Sequence, residues 1–286
     1  MFDTTRAKLR TRMVDHPFTG VSAIDLDIGS VIDTCRAYEP LLRVGEAFSH
    51  LTAAQLYGVP LPESQSAVVP VHVLSPTSTR ARTVGTVGHR AARPFPFSFR
   101  YGLPVVGPEL VWLQLAAILS RNDLVAAGDH LVTPGGSASD RTPSLASIRG
   151  LRAMVDSAGQ RRGVRNAAWA ITRVRVGPAS RPETLLRLCL VEGGLPEPEI
   201  GVPVPVAGGS LVLHPDLAYP TLRIAIEYEG GRHREARRWE RDIERRELFE
   251  DAGWRVIRVT AASLADPIAL VARVRRVIEA RAGGSR

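Results

Sequence analysis

The residues best suited to chemistry lie between His214 and Arg258. Leu222, Ile224, Ile226 and Tyr228 alternate with Arg223, Ala225, Glu227 and Glu229. That is the period of a β-strand, so both glutamates leave on one side, roughly 7 Å apart at the backbone. Two carboxylates so placed repel unless a cation lies beside them. A hard divalent cation such as Mg²⁺ takes oxygen ligands, usually one or two protein carboxylates, and keeps water and substrate phosphate in its other positions. Asp216 precedes the strand across a turn marked by Pro215 and Pro220, which would return its carboxylate beside Glu227. Three acids then converge, and Gly230-Gly231 and His233 follow directly.

The flanking segments must position these groups. Residues 237–252 are rich in helix formers, with Trp239, Ile243, Leu248 and Phe249 as apolar points and Gly253 as the stop. Residues 254–260 have the β-branched composition of a strand, and 262–282 read as a terminal helix. Upstream, Ser180-Arg-Pro-Glu183 opens a helix in capping-box form before Leu185, Leu186, Leu188, Leu190 and Val191. Gly193, Gly194 and Pro196 close it. Strands are expected near 200–206 and 210–214, joined by the turn Gly208-Gly209. From Ser180 the order is helix, three strands, helix, strand.

That order resembles the PD-(D/E)XK nuclease superfamily, on Asp216, Glu227-Tyr228-Glu229 with Gly230, His233, Asp242 and Gly253-Trp254-Arg255-Val256. More narrowly it is similar to very-short-patch-repair (Vsr)-like endonuclease-domain proteins, over roughly residues 180–258. The resemblance implies a restriction-endonuclease-like core, αβββαβ, with a mixed sheet flanked by helices. It further implies a metal-dependent DNA endonuclease hydrolysing phosphodiester bonds, with Mg²⁺, or Mn²⁺ in its place, held by Asp216, Glu227 and the Tyr228 carbonyl. Glu183 would orient a metal-bound water, Glu229 or His233 would take its proton, and Arg238, Arg241, Arg245 and Arg258 would contact phosphates. One departure stands out. The superfamily's lysine two residues after the strand glutamate is here Glu229, an acid that is common in the narrower family.

Bulk properties bound the alternatives. A chain of 286 residues with 44% apolar content can hold two domains with sizeable cores. Its net charge of +8 and pI near 10.4 make an anionic partner the natural expectation, DNA first and RNA left open. The surplus is uneven: residues 1–179 carry 20 basic against 13 acidic residues, and 180–286 carry 17 against 16. Lys8 is the only lysine, which removes phosphate-loop and Schiff-base chemistry. The heavy use of arginine follows as readily from genomic base composition as from function. Cys35 and Cys189 stand far apart and offer no disulfide framework and no cysteine zinc site. No stretch reaches about 18 uninterrupted apolar residues, and the first residues lack the apolar core of a signal peptide, so a soluble, cytoplasmic protein without a membrane partner is expected.

The front of the chain reads as an α+β domain over 1–132, followed by a linker and connecting helices over 133–179 and the endonuclease-like domain over 180–286. Residues 1–20 suggest a short helix and a loose arm. Helices are expected at 30–39, 45–58, 108–119 and 122–131, and strands at 68–74 and 82–89. Residues 133–147 have linker composition, and 148–158 and 163–174 read as helices. The segments FSHLTAAQLYGVPLP, VGTVGHR and GLPVVGPELVWLQLAAI are similar to the region preceding the endonuclease domain in the same proteins and to the C-terminal part of AbiEi-type antitoxins. No helix-turn-helix precedes Phe48. Arg80, Arg82, Arg90, Arg93 and Arg100 cluster in sequence as candidate nucleic-acid contacts. A toxin–antitoxin or defence-system partner and a homodimer are therefore among the expected associations.

Each acid also has an ordinary explanation. Glu183 caps a helix, Asp216 suits a turn, Glu227 and Glu229 suit the solvated face of an edge strand, His233 suits a loop, and Asp242 suits pairing with Arg238 or Arg245 on a helix surface. Their joint order favours the enzyme. The second class of reading is a DNA-binding transcriptional regulator or antitoxin-like protein that keeps an inactive nuclease fold.

Overall fold

The computed structural model describes residues 14–24, 27, 29–76, 80–91, 93–136, 142–230 and 236–283, and the side chains of 14–16, 22–24 and 236–243 fall outside that description. The chain is mixed α/β, with mixed sheets flanked by helices, and divides into two units, Met1–Val174 and Arg175–Arg286.

In the first unit, the hairpin of β1 (Val14–Phe18) and β2 (Val21–Ile24) precedes α1 (Val31–Tyr38). Then come β3 (Ala47–Phe48), α2 (His50–Leu56), β4 (Val71–Ser75), β5 (Thr86–Arg90), β6 (Phe97–Arg100) and β7 (Leu103–Val106). The last five strands form one sheet in the order β5-β4-β3-β7-β6, parallel at β4–β5 and β3–β7 and antiparallel elsewhere. Four helices follow: α3 (Pro108–Leu115), α4 (Arg121–Val132), α5 (Ile148–Asp156) and α6 (Val164–Ile171). Helix α3 buries Leu110, Val111, Trp112, Leu113 and Leu115, more than one stripe, as a helix covered on most sides must. Trp112 Nε1 finds its buried acceptor in the Leu124 carbonyl of α4, 2.9 Å away. Ser120 and Ser147 cap α4 and α5 by accepting the N–H of Asp123 and Gly150.

Several expectations change here. Residues 14–24 form a hairpin rather than a loose arm. The stretch 45–58 begins as β3, because Ala47 and Phe48 are buried between β4 and β7, and only then becomes helical. The hairpin β6–β7 had no counterpart in the sequence reading; Pro94, Pro96 and Pro104 break up its strand composition. Helices α5 and α6, expected as connectors, pack on α3 and α4 inside the first unit.

The second unit contains α7 (Arg181–Glu192), β8 (Glu199–Ile200), β9 (Val204–Val206), β10 (Leu211–Leu213), β11 (Leu217–Tyr219), β12 (Ile224–Glu229), α8 (Ala236–Asp251), β13 (Arg255–Thr260), α9 (Ala261–Leu264) and α10 (Pro267–Gly283). The main sheet runs β13-β12-β11-β8, with β12 parallel to β13 and the other pairs antiparallel. Alternation along its strands divides the core in two. Leu217, Tyr219, Ile224, Ile226, Ile257 and Val259 meet Leu186 and Leu190 of α7 and Leu270 and Val274 of α10. Ala225 and Val256, on the opposite face, meet Phe249 of α8 and Val204 and Val206. The hairpin β9–β10 pairs only with itself. The strand beside β12 is instead β11, where the sequence suggests a turn; a strand of three residues is too short to show alternation.

Gly253 ends α8 with φ +78, in the left-handed region, where the Trp254 N–H reaches back to the Phe249 carbonyl at 2.9 Å. Arg255 N–H then donates to the Arg223 carbonyl at 2.8 Å, which starts the parallel register of β13 on β12.

Candidate functional site

Strand register assembles the acids. Leu217 pairs with Ile226 and Ala218 with Ala225, so the next step sets Asp216 opposite Glu227, both on the face that carries Ala225 toward α8. Tyr228 donates its backbone N–H to Asp216 Oδ2 at 2.7 Å, which orients that carboxylate along β12. Burial pushes the Asp216 carboxyl up to about 6; Glu183's charge adds to this, while the Tyr228 N–H and Arg245 oppose it. Burial also raises Glu227, and the neighbouring Asp216 raises it further against the pull of Arg245 and Arg258. Two carboxylates held near one another in a half-dry setting are what such shifts report.

Glu183 comes from the first turn of α7. Its Oε1 accepts from Ser180 Oγ at 2.7 Å and its Oε2 from the Ala179 N–H at 2.8 Å, so it completes the helix cap. Its charge still reaches Asp216. Of the two roles weighed from the sequence, the hydrogen bonds show the cap.

Two arginines expected at phosphate are engaged with the acids. Arg245 Nε donates to Glu227 Oε1 at 2.8 Å and its second arm to the His214 carbonyl at 2.6 Å, with the guanidinium 5.3 Å from the Phe249 ring centre. Arg258, opposite Glu227 in the parallel register, pairs with Glu229. Arg258 also lines a cleft of about 290 Å³ with Arg246, Arg255 and Arg273. Tyr228 contributes its N–H to Asp216. His233 and the side chains of Arg238, Arg241 and Asp242 lie outside the described residues.

In the first unit, Arg80, Arg90 and Arg93 line a cleft of about 520 Å³. They are joined there by Arg161 and Arg162, which lie just after α5, where nothing in the local sequence points to the cleft. A Cβ on Gly88 would stand 2.2 Å from the Ala81 carbonyl oxygen; that close approach lays the segment bearing Arg80 against β5. Arg82 is exposed. Arg100 stands apart from the cleft: its Nε donates to the Leu56 carbonyl at 3.0 Å and its guanidinium lies over the rings of Tyr57 and Tyr101.

The same unit gathers His50, His72 and His89, a group that no local pattern announced. Their ligating nitrogens lie within 4.8 Å of one another, and among the described residues no other set of three His, Cys, Asp or Glu does so. Glu183, Asp216, Glu227 and Glu229 thus form no such three-ligand set. Burial and mutual repulsion lower His50 to about 2; burial, with His72 and Arg80 adding, lowers His89 to about 4; burial also lowers His72. All three rings are neutral near pH 7, with a lone pair each.

No protein-family model matches the chain, and no solved structure does. Two proteins of Mycobacterium tuberculosis are similar to it, uncharacterized protein MT2308 of strain CDC 1551 / Oshkosh and uncharacterized protein Rv2248 of strain ATCC 25618 / H37Rv. Each is 29% identical over 236 residues, covering 80% of this chain and 79% of the relative. A match of that length runs across both units. Among the described residues, no helix is long and apolar enough to cross a membrane.

Proposed function

We propose that the chain is a metal-dependent DNA endonuclease whose active site is the acidic face of the second unit, in a core of PD-(D/E)XK type. The observation that carries this reading is the opposition of Asp216 and Glu227 across β11 and β12, both buried enough to be raised in pKa. These oxygen donors fit Mg²⁺ or Mn²⁺: hard anionic ligands on one face, whose repulsion a divalent ion would relieve. Asp216, Glu227 and the Tyr228 carbonyl would hold the ion. When bound, it supplies neutralisation of phosphate charge and a more acidic water.

The protein's own groups account for the rest. The Tyr228 N–H fixes the direction of Asp216. Glu183, anchored in its helix cap, holds negative charge beside that acid and would orient a water. Arg258 and the arginines of its cleft would receive a flanking phosphate in bidentate contacts. Glu229, standing where the superfamily has lysine, is neutralised by Arg258 and would relay a proton with His233.

A second reading rests on a specific observation. Arg245 and Arg258 already compensate Glu227 and Glu229, as they would in a DNA-binding regulator or antitoxin-like protein that keeps the fold without the chemistry. Nicking of supercoiled plasmid with Mg²⁺, Mn²⁺ or chelator separates the two. Metal-dependent nicking lost in Asp216→Ala and in Glu227→Ala establishes the nuclease. Absence of nicking, with salt-sensitive DNA binding kept by both variants, establishes the regulator.

A further inference from the structure

The three histidines of the first unit are placed by backbone interactions that a chance cluster would not need. His50, the first residue of α2, has φ +50, a left-handed conformation that is strained for a non-glycine residue. It is held there by Gln114 Oε1, which accepts the His50 N–H at 3.0 Å. Ser49 N–H donates to the His72 carbonyl at 2.9 Å and His72 N–H to Thr52 Oγ1 at 2.8 Å, stitching the start of α2 to β4. The parallel register of β4 and β5 sets His72 opposite Val87 and His89 opposite Leu74, so the two histidines are diagonal neighbours, with His89 Nε2 3.0 Å from His72 Nδ1. The His50 and His89 rings stack at 3.5 Å, so one of them must turn about χ2 for both nitrogens to reach a single ion. Ser49 Oγ lies 3.0 Å from His50 Nδ1, which leaves Nε2 as the ligating atom and gives that ring the outer partner a metal-bound imidazole ordinarily has.

We propose that His50, His72 and His89 form a three-imidazole site for a divalent transition-metal ion of the zinc class, with its remaining position open to a phosphate oxygen in the adjoining cleft. Imidazole nitrogens suit zinc, cobalt, nickel or copper, whereas Mg²⁺ prefers oxygen, so this site is chemically separate from the carboxylates of the second unit. Three histidines with one open position are the arrangement of a site that accepts water or substrate. His50 and His89 line the cleft of about 520 Å³ into which Arg80, Arg90, Arg93, Arg161 and Arg162 also face, and no described carboxylate lines it. That much positive charge opposes a bare cation and favours an ion that arrives with, or then captures, an anion. Guanidinium groups make bidentate contacts with phosphate.

The test uses the full chain, stripped with chelator and titrated with Co²⁺ while its visible d–d absorption is followed, with Zn²⁺ then added as competitor. The site predicts one tetrahedral ion per chain, weakened more than about tenfold in His72→Gln and in His89→Gln and unchanged in Asp216→Asn. His50→Asn is the companion variant, because asparagine tolerates the left-handed backbone and separates ligand loss from misfolding. Inorganic phosphate should shift the cobalt spectrum, and Arg90→Ala with Arg161→Ala should abolish that shift. Absence of binding, or binding indifferent to all three histidines, overturns the proposal; binding without a phosphate response overturns its open position. The Asp216→Asn control keeps this outcome independent of whether the second unit cuts DNA.

Discussion

The backbone N–H of Tyr228 and the carboxylate of Asp216 meet at 2.7 Å, so the acid is aimed by strand β12 itself. Tyr228 sits between Glu227 and Glu229, and the one bond places three carboxylate-bearing positions in a common frame. Substitution at Asp216 should therefore separate charge from position. Asp216→Asn keeps an oxygen acceptor for the Tyr228 N–H and should lower metal-dependent plasmid nicking by about a hundredfold or more while the protein stays folded, read by nicking rate and circular dichroism.

The same variant has a pH signature. Asp216 is raised to about 6 in the folded chain from an ordinary 3.8, so the folded state binds more protons than the unfolded one between those values. Its contribution to stability is full below pH 4 and is lost as pH rises through about 6. Asp216→Asn should accordingly gain about 2 kcal/mol over the wild type between pH 4 and 7. Urea unfolding of both proteins across that range checks it, and parallel pH profiles would remove the buried carboxylate from the account.

Arg245 competes for Glu227. Its side chain is about a third exposed, and the pair sits at 2.8 Å. Removing it by Arg245→Ala should cost roughly 1 kcal/mol of stability. Magnesium binding, followed by calorimetry, should nonetheless tighten, since a cation already beside Glu227 is gone. Unchanged or weaker magnesium binding would show that the ion pair does not occlude the site.

Four of the five candidate arginines of the first unit should divide. Replacing Arg80, Arg90 and Arg93 by alanine should flatten the dependence of log K for DNA on log salt by about 2–3. Arg100→Ala should leave that slope alone and lower stability, because Arg100 is committed to the Leu56 carbonyl and to two aromatic faces. Fluorescence anisotropy over a salt series distinguishes them.

Arg187 is 1% exposed and donates to Glu197 Oε1 at 2.8 Å, with Arg175 on the other oxygen of that carboxylate. Arg187→Ala should cost about 2–3 kcal/mol, less than a fully buried pair, because Glu197 is 36% exposed and keeps Arg175. Denaturant melts measure the loss.

Local chemistry was legible without a structure where a signal repeats or a cap is specific. The Ser180–Glu183 box announced α7, alternation from Ile224 to Glu229 announced β12, although Leu222 and Arg223, read with it, fall in the turn before the strand, and Gly253 announced the end of α8, whose observed range Ala236–Asp251 differs by one residue at each end from the sequence reading. Short strands were not legible, because β3, β8 and β11 span two or three residues each and owe their conformation to the strands beside them. The amino-acid sequence by itself determined the residue types, the uneven basic charge, the acids of the second unit and the helices that carry or flank them. Only tertiary structure decided which acids face one another, that Arg245 and Arg258 pair with Glu227 and Glu229, that Arg100 leaves the arginine group for Arg161 and Arg162, and that His50, His72 and His89 meet. Those pairings depend on strand register and helix packing, and contacts between residues tens of positions apart leave no period in the chain.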